Sequence, residues 1–135
     1  MRSGAFLGGL FAGGFLAGGA LGQPVGDITD PVWRSLPSGE QRGAAYPLRA
    51  AANKKIGVAV VRCTAEADGA LSACELVCET PAKWGFGKAA LGLAHLHRLE
   101  PLLPDGRPVG GGTVAVAFRF NPPFLAPLPR CDGKG

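Results

Sequence analysis

The chain has 135 residues, and its 22 glycines and formal net charge of +4 describe a small, mildly basic protein. A chain of this length forms one domain at most, with a modest core that cross-links would help to stabilise. Its 14 Lys and Arg residues form no cluster and no stripe interleaved with aromatic residues, which argues against a nucleic-acid-binding protein.

Residues 1–22 have the pattern of a secretory signal peptide. Arg2 gives a short positive start, residues 5–19 are apolar and uncharged, and small residues up to Gly22 suit a signal peptidase. We therefore predict export to the bacterial periplasm, or secretion, of a chain that starts at residue 23. The alternative is an uncleaved inner-membrane anchor, because residues 4–22 carry no charge and approach the length of a membrane span.

Residues 23–45 are predicted to form an extended amino-terminal arm that ends in a helical turn. Ser38 and Gln41 have the spacing of a capping box, which favours helix directly after Ser38. Pro47 suits the first turn of a second short helix. Trp33 is expected to pack on the domain.

Residues 57–77 predict a β-hairpin, because Asp68-Gly69 separates two runs of small and β-branched residues. With a two-residue loop, Arg62 lies opposite Glu75 and could form a cross-strand ion pair. A three-residue loop with a bulge at Gly69 is the alternative, and it would shift the register. Side chains alternate between the two faces of a strand, and the drier face is the candidate core face. That face carries Val61, Cys63, Cys74, Leu76 and Cys78.

The cysteines are predicted to form disulfides, because export places them in an oxidising compartment. Four cysteines allow three connectivities. In the two-residue-loop register Cys63 lies opposite Cys74, and this pairing would leave Cys78 to bond with Cys131. Zinc binding and thiol redox chemistry are disfavoured, because the chain has no C-x-x-C spacing. We expect neither a metal nor another cofactor.

Helical spacing is predicted over residues 83–96, with a start near Phe86 and a stop at Pro101. His97 is expected to be a packed or capping residue rather than a catalyst. A final strand is predicted over residues 113–120, where large apolar residues alternate with small or polar ones. It consists of Thr113, Val114, Ala115, Val116, Ala117, Phe118, Arg119 and Phe120.

This order of elements predicts an α+β fold. A three-stranded antiparallel sheet with helices packed on one face satisfies the need of each element to bury its apolar side. The crossover through the helix places the final strand beside the first strand of the hairpin, so that residues 113–120 lie at a sheet edge. Residues 122–135 form a Pro-rich tail.

An ordered series of short motifs resembles the carboxyl-terminal domain of TonB. The resemblance covers residues 46–120 and is greatest to small exported TonB-like proteins with a C-x-x-x-x-DG-x-L-x-x-C motif, here Cys63 to Cys74. It places the domain at residues 46–121. The motifs are Tyr46-Pro47 with Ala50, Gly57-Val58-Ala59-Val60, Asp68-Gly69, Gly85-Phe86-Gly87, Ala89-Ala90-Leu91 with Ala94, Pro101, Asp105-Gly106-Arg107-Pro108-Val109, and Val114-Ala115-Val116-Ala117-Phe118.

The resemblance implies a non-catalytic periplasmic domain associated with TonB-dependent outer-membrane transport. Domains of this family bind a short segment of outer-membrane receptors by strand addition at a sheet edge. The binding strand here would be residues 113–120, with Arg119 as an outward contact. The implied partner is such a receptor segment or another envelope protein, and neither a nucleic acid nor a small-molecule substrate.

Two other functions stay open. The chain could be a self-associating structural envelope protein that forms a homodimer. It could also be a membrane-anchored protein like an energy transducer if residues 1–22 are not cleaved, although only residues 23–45 then separate the apolar segment from the domain. Catalysis is disfavoured, because no serine has a G-x-S-x-G setting and no carboxylates are paired. We predict that the protein is not an enzyme.

Overall fold

A computed structural model of the chain describes residues 25–121 and 130–131. The predicted signal peptide, its cleavage point and most of the Pro-rich tail lie outside these residues. Within the described ranges, no helix has the length and hydropathy that crossing a membrane requires.

The described chain folds into two small sheets and three helices. Strands β2, β3 and β5 form an antiparallel sheet in the order β3-β2-β5, and β1 pairs with β4 in a second sheet. The predicted α+β fold and the edge position of the last strand are confirmed. In chain order the elements are β1 (Trp33–Ser35), α1 (Gly39–Ala45), α2 (Leu48–Ala52), β2 (Gly57–Ala65), β3 (Leu71–Thr80), α3 (Phe86–Ala94), β4 (Arg98–Leu99) and β5 (Thr113–Phe120).

The core lies between α3 and the face of the sheet that we call the inner face. Alternate residues of β2 and β5 point to this face, as the predicted alternation requires. Helix α3 approaches β3 closely at Gly87, where an added Cβ would lie 2.6 Å from the side chain of Leu76. The buried cluster includes Ala59, Val61, Cys63, Ala65, Phe86, Ala90, Leu93, Val114, Val116, Phe118 and Phe120.

The helix starts follow local signals. The Ser38 hydroxyl accepts a hydrogen bond from the Gln41 N–H at 3.0 Å, and the Gln41 side chain accepts one from the Ser38 N–H, so the predicted capping box is confirmed. Helix α3 begins at Phe86, as predicted, and the Glu79 carboxylate accepts a hydrogen bond from its Gly87 N–H. It ends at Ala94, earlier than predicted, because the chain turns there to form β4.

The hairpin turn is longer than the two-residue loop that the sequence favoured. The Glu66 N–H donates to the Ala70 carbonyl and the Gly69 N–H donates to the Glu66 carbonyl, which leaves residues 67–69 as the loop. Gly69 has a φ of 90°, a conformation that glycine adopts at little cost. The alternative register, with a bulge at Gly69, is therefore the one observed beside the turn.

Two further shifts of register in β3 decide which face each cysteine occupies. Arg62 lies opposite Glu75, as predicted, but Cys63 faces both Ala73 and Cys74. Beyond Glu75, Val77 is an extra residue, and the register resumes with Cys78 opposite Val60. The extra residue turns Cys78 to the outer face of the sheet, away from α3.

The predicted core face is therefore partly wrong. Val61 and Cys63 belong to the buried core, and Cys74 packs against it. Cys78 is buried but lies on the outer face, and Leu76 is 39% exposed at the rim of the sheet. A sequence alternation cannot survive an extra residue, because each insertion reverses the face of all later side chains.

The prediction of a cross-strand ion pair is also wrong. Among the described salt bridges, none joins Arg62 to Glu75, although the two residues are opposite each other. The Arg62 guanidinium instead lies 3.9 Å from the carboxylate of Asp27 in the amino-terminal arm.

Strands β1 and β4 were not predicted, and they explain how Trp33 packs. Trp33 lies opposite Leu99 in this small sheet and packs against the core, as expected of it. The Leu99 N–H donates to the Gly69 carbonyl at 2.8 Å, which attaches β4 to the hairpin turn. A Cβ at Gly69 would collide with the Leu99 carbonyl, so this contact also requires glycine.

Candidate strand-binding edge

Strand β5 presents, at one edge of the sheet, backbone groups that no other described residue pairs with along most of its length. It pairs with β2 along its whole length without a shift of register. In an antiparallel pair, the N–H and C=O of alternate residues point toward the partner strand and the others point away. Those of Thr113 point away, because they bond to Ile28 and Gly26 of the arm. By alternation, the outward residues that follow are Ala115, Ala117 and Arg119, to which the described chain makes no further backbone hydrogen bond.

The amino-terminal arm covers the start of this edge. Asp27 forms a parallel bridge with Thr113, whose hydroxyl donates to the Asp27 carboxylate at 2.5 Å. Ile28 anchors the arm, because its side chain is 7% exposed and belongs to the core. The open part of the edge is residues 115–119, which span about 14 Å at the usual rise of a strand.

The eight predicted site residues divide into two groups. Four of them point inward and are buried, so that a partner could reach their backbone but not their side chains: Val114, Val116, Phe118 and Phe120. On the outer face, Ala115, Ala117 and Arg119 are exposed, while Thr113 is half-buried beside the arm. Because the two alanines are small, they leave the backbone of the edge accessible.

A groove of about 900 Å³ lies beside the inner side of the open edge. We call it the edge groove. It runs between β5 and α1, where Gly39 and Gly43 leave space: a Cβ added at either position would meet no atom within 4 Å. Side chains from several parts of the chain line the rest of it, namely Trp33, Leu36, Arg42, Tyr46 and His97. Sequence analysis identified none of these as site residues, because no single motif or spacing joins them all.

His97 contributes an uncharged, buried surface to this groove. Its ring packs edge-on against Trp33 and Phe118, with centroid separations of 5.0 and 5.4 Å. Its Nδ1 donates to the Leu93 carbonyl at 3.0 Å, which places the proton of the neutral ring on that nitrogen. Burial lowers the pKa of His97 below its usual value. The prediction of a packed or capping histidine is confirmed.

Tyr46 fixes the other end of the groove. Its hydroxyl donates to the Lys55 carbonyl and also lies 3.4 Å from the carbonyl oxygen of Phe120. Its ring packs edge-on against Phe86 and Phe120. Burial raises the pKa of Tyr46, so the phenol is neutral at pH 7. These contacts hold the end of β5 against the start of α2.

The charges at this site are positive. Arg42 lines the edge groove and Arg119 is exposed at the open edge, and neither forms a salt bridge within the described chain. None of the described residues that line the groove is Asp or Glu. The site therefore combines open backbone groups, apolar walls and two cations.

Two disulfides cross-link the sheet away from this site. One joins Cys63 of β2 to Cys74 of β3, and the other joins Cys78 of β3 to Cys131. The predicted pairing is confirmed. Within residues 25–121 and 130–131, no three His, Cys, Asp or Glu side chains are grouped to hold a metal ion.

The fold and the edge of the described residues define a class of protein: a small, disulfide-linked α+β domain with a regular edge strand. Residues 42–122 match the family described as Gram-negative bacterial TonB protein C-terminal. The chain is also similar to an uncharacterized protein of Caulobacter vibrioides (strain ATCC 19089 / CIP 103742 / CB 15), with 33% identity over 74 residues, which are 55% of this chain and 74% of that protein. The chain belongs to the TonB C-terminal domain family, as its motifs indicated. This family is envelope-associated and consists of non-enzymatic domains.

Proposed function

We propose that this protein is a non-catalytic periplasmic domain that binds an extended segment of an envelope protein at the edge of β5. The open backbone of residues 115–119 is the observation that carries the proposal. Membership of an envelope-associated family supports outer-membrane receptors of TonB-dependent transport as the first candidates for the partner.

Strand addition accounts for both parts of the site. The outward N–H and C=O groups of Ala115, Ala117 and Arg119 would bond to the backbone of the added strand. The side chains of that strand would alternate between the edge groove and the outer face of the sheet. Backbone bonds supply affinity in this mode, and side-chain pockets supply selectivity.

Export is the second part of the proposal. We propose that residues 1–22 are a cleaved signal peptide, that residues 46–121 are the binding domain and that residues 122–135 are a tail held at Cys131. Mass spectrometry of the protein in fractionated cells tests this: a periplasmic chain that starts at residue 23 is expected. An intact amino terminus in the inner-membrane fraction would favour an anchored protein instead.

A nuclear magnetic resonance titration tests strand binding. The oxidised protein, produced from the full-length gene with export, is titrated with peptides copied from the plug segments of the organism's outer-membrane receptors. Amide shifts concentrated in residues 115–119 are expected. Shifts on β3 alone, or no shifts with a folded monomer, would contradict the proposal.

Self-association is the second candidate, and the two alanines of the edge favour it. Two antiparallel copies of β5 centred on Ala117 would place Arg119 of each copy opposite Ala115 of the other, so that the arginines do not meet. Sedimentation of the oxidised protein distinguishes the candidates: a mass that doubles with concentration and is reduced by Ala117→Pro would indicate a homodimer through this edge.

A further inference from the structure

We infer that the edge groove and Arg119 select one kind of partner segment, in which an acidic residue directly adjoins a large apolar residue. The inference rests on the proposed strand addition at β5. Backbone hydrogen bonds are the same for every sequence, so they cannot by themselves choose among extended segments. The side chains around the edge can make this choice.

The inner side of the site determines that the groove-facing residue of the partner segment should be apolar. A residue of the added strand opposite Phe118 would point to the inner face, into the edge groove. There it would meet Trp33, the neutral ring of His97 and Leu36, whose large apolar side chain is 56% exposed. Covering this wall removes apolar surface from water, which a polar side chain would do less well.

The outer side of the site determines that the neighbouring residue of the partner segment should be acidic. The next residue of the added strand would lie opposite Arg119 and point to the outer face, to which the alternation along β5 directs the exposed Arg119 side chain. A carboxylate there would form an ion pair, whereas a Lys or Arg would be repelled. Arg42, on the groove side, disfavours a cation at the inward positions as well.

The two positions are adjacent in the partner whichever way it runs. Phe118 and Arg119 are consecutive, so the residues opposite them are consecutive in a parallel or an antiparallel strand. The inference therefore specifies a dipeptide, acidic beside apolar, without requiring the direction of the added strand.

Three blocked seven-residue peptides test this selection on the oxidised, exported protein. Each has the sequence Thr-Val-Thr-x-x-Val-Thr, in which the variable pair x-x is Asp-Leu, Lys-Leu or Asp-Thr, so that Asp has no other apolar neighbour. We expect all three to shift the amides of residues 115–119 and the Asp-Leu peptide to bind most tightly. The Asp-Thr peptide should bind about tenfold more weakly, because Thr buries less apolar surface than Leu. The Lys-Leu peptide should bind about fivefold more weakly, as expected for an exposed charge pair.

Two variants assign each preference to its side chain. Gly43→Leu adds a large side chain to the α1 wall of the edge groove, at a position where an added Cβ meets no atom within 4 Å. It should remove the preference for Leu over Thr, whereas Gly92→Leu, an equally open position on α3 outside the groove, should keep it. Arg119→Gln should remove the preference for Asp over Lys. Arg107→Gln is the control and should keep this preference, because Arg107 already pairs with Asp105.

The outcomes separate this inference from the proposed function. Equal affinities for the three peptides, with shifts at residues 115–119, would overturn the selection and leave strand addition standing. The selection also fails if the preference for Asp-Leu survives both Gly43→Leu and Arg119→Gln, or if these peptides are silent while receptor peptides bind. Silence from both sets of peptides would remove strand addition too.

Discussion

The two edges of the sheet are built in opposite ways. Strand β5 is regular over its 8 residues, and within the described chain no strand pairs with the outer side of residues 115–119. Strand β3 has two shifts of register, at Ala73 and Val77, and both of its cysteines are in disulfides. Irregular edges discourage pairing with another strand, because their backbone groups are not evenly aligned. The domain thus offers a partner strand one straight edge.

The regular edge is also limited in length. The arm bonds to Thr113 at its start, and the strand ends at Phe120. Between these two points, only a short segment can pair. This limit favours a short extended peptide over a long strand from another sheet, and the edge groove can then distinguish among peptides.

The largest contrast is expected between two proline substitutions in β5. Val116→Pro removes an N–H that bonds to β2 at a buried position, and it should lower the free energy of unfolding by about 3 kcal/mol or more. Ala117→Pro should cost much less, because its N–H points outward and edge strands tolerate proline there.

Ala117→Pro should nevertheless abolish shifts by receptor peptides. Urea denaturation gives the two stabilities, and the titration gives binding. Equal losses of stability in the two variants would contradict the assignment of outward residues on β5.

The next largest effect is expected at the opposite edge, from the disulfide between β2 and β3. Replacing Cys63 and Cys74 by Ala should lower the free energy of unfolding by about 3 kcal/mol, because the unfolded chain regains the freedom of the closed loop. Peptide binding at β5 should persist wherever the variant is folded, as checked by titration at low temperature. Loss of binding by a folded variant would show that the two edges are not independent.

A smaller effect is expected at Ala73, whose φ of 49° is unfavourable for any residue with a Cβ. Ala73→Gly should raise the free energy of unfolding by up to about 1 kcal/mol, and Ala73→Val should lower it. Ala117→Gly is the control on the regular edge, where glycine should be destabilising by about 0.5–1 kcal/mol. Thermal denaturation measures all three, and destabilisation by both glycine variants would contradict the bulge at Ala73.

The smallest effect is expected from titration of His97, because only one imidazole is involved. Burial lowers its pKa in the folded protein, so below the usual value of 6.5 the unfolded chain binds a proton that the folded protein does not. Stability should therefore be full above pH 6.5, fall as the pH decreases below it and level off below the lowered pKa.

His97→Gln should flatten this part of the curve of unfolding free energy against pH, and His95→Gln is the matched control for loss of an imidazole. An unchanged curve for His97→Gln would mean that the pKa of His97 is the same in the folded protein and in the unfolded chain.

The sequence predicts the regular edge better than the irregular one. Alternation along β5 is a local signal, and it yields both the strand and the residues of each face. The bulges in β3 have no such signal, because Ala73 and Val77 are ordinary strand residues. Their conformation follows from pairing with β2 and from the turn at Gly69, so the face of Cys78 could not be read from spacing.

The edge groove could not be predicted for a different reason. Trp33, Arg42 with Tyr46 at the end of α1, and His97 come from three separate segments, and only the packing of α1 and β1 around β5 brings them together. Strands β1 and β4 are also too short, at 3 and 2 residues, for an alternation to be recognised. The sequence therefore indicates which strand is at the edge, but not which side chains surround it.

The strand order β3-β2-β5 also bears on the order in which the domain folds. Strands β2 and β3 are neighbours in the sequence, whereas β2 meets β5 only after α3 and a long connection. Distant segments pay a larger entropic penalty on pairing, so we expect the hairpin to form early and β5 to join last. The proposed binding edge then exists only in the completed domain, and chains that are still folding would not compete for a partner.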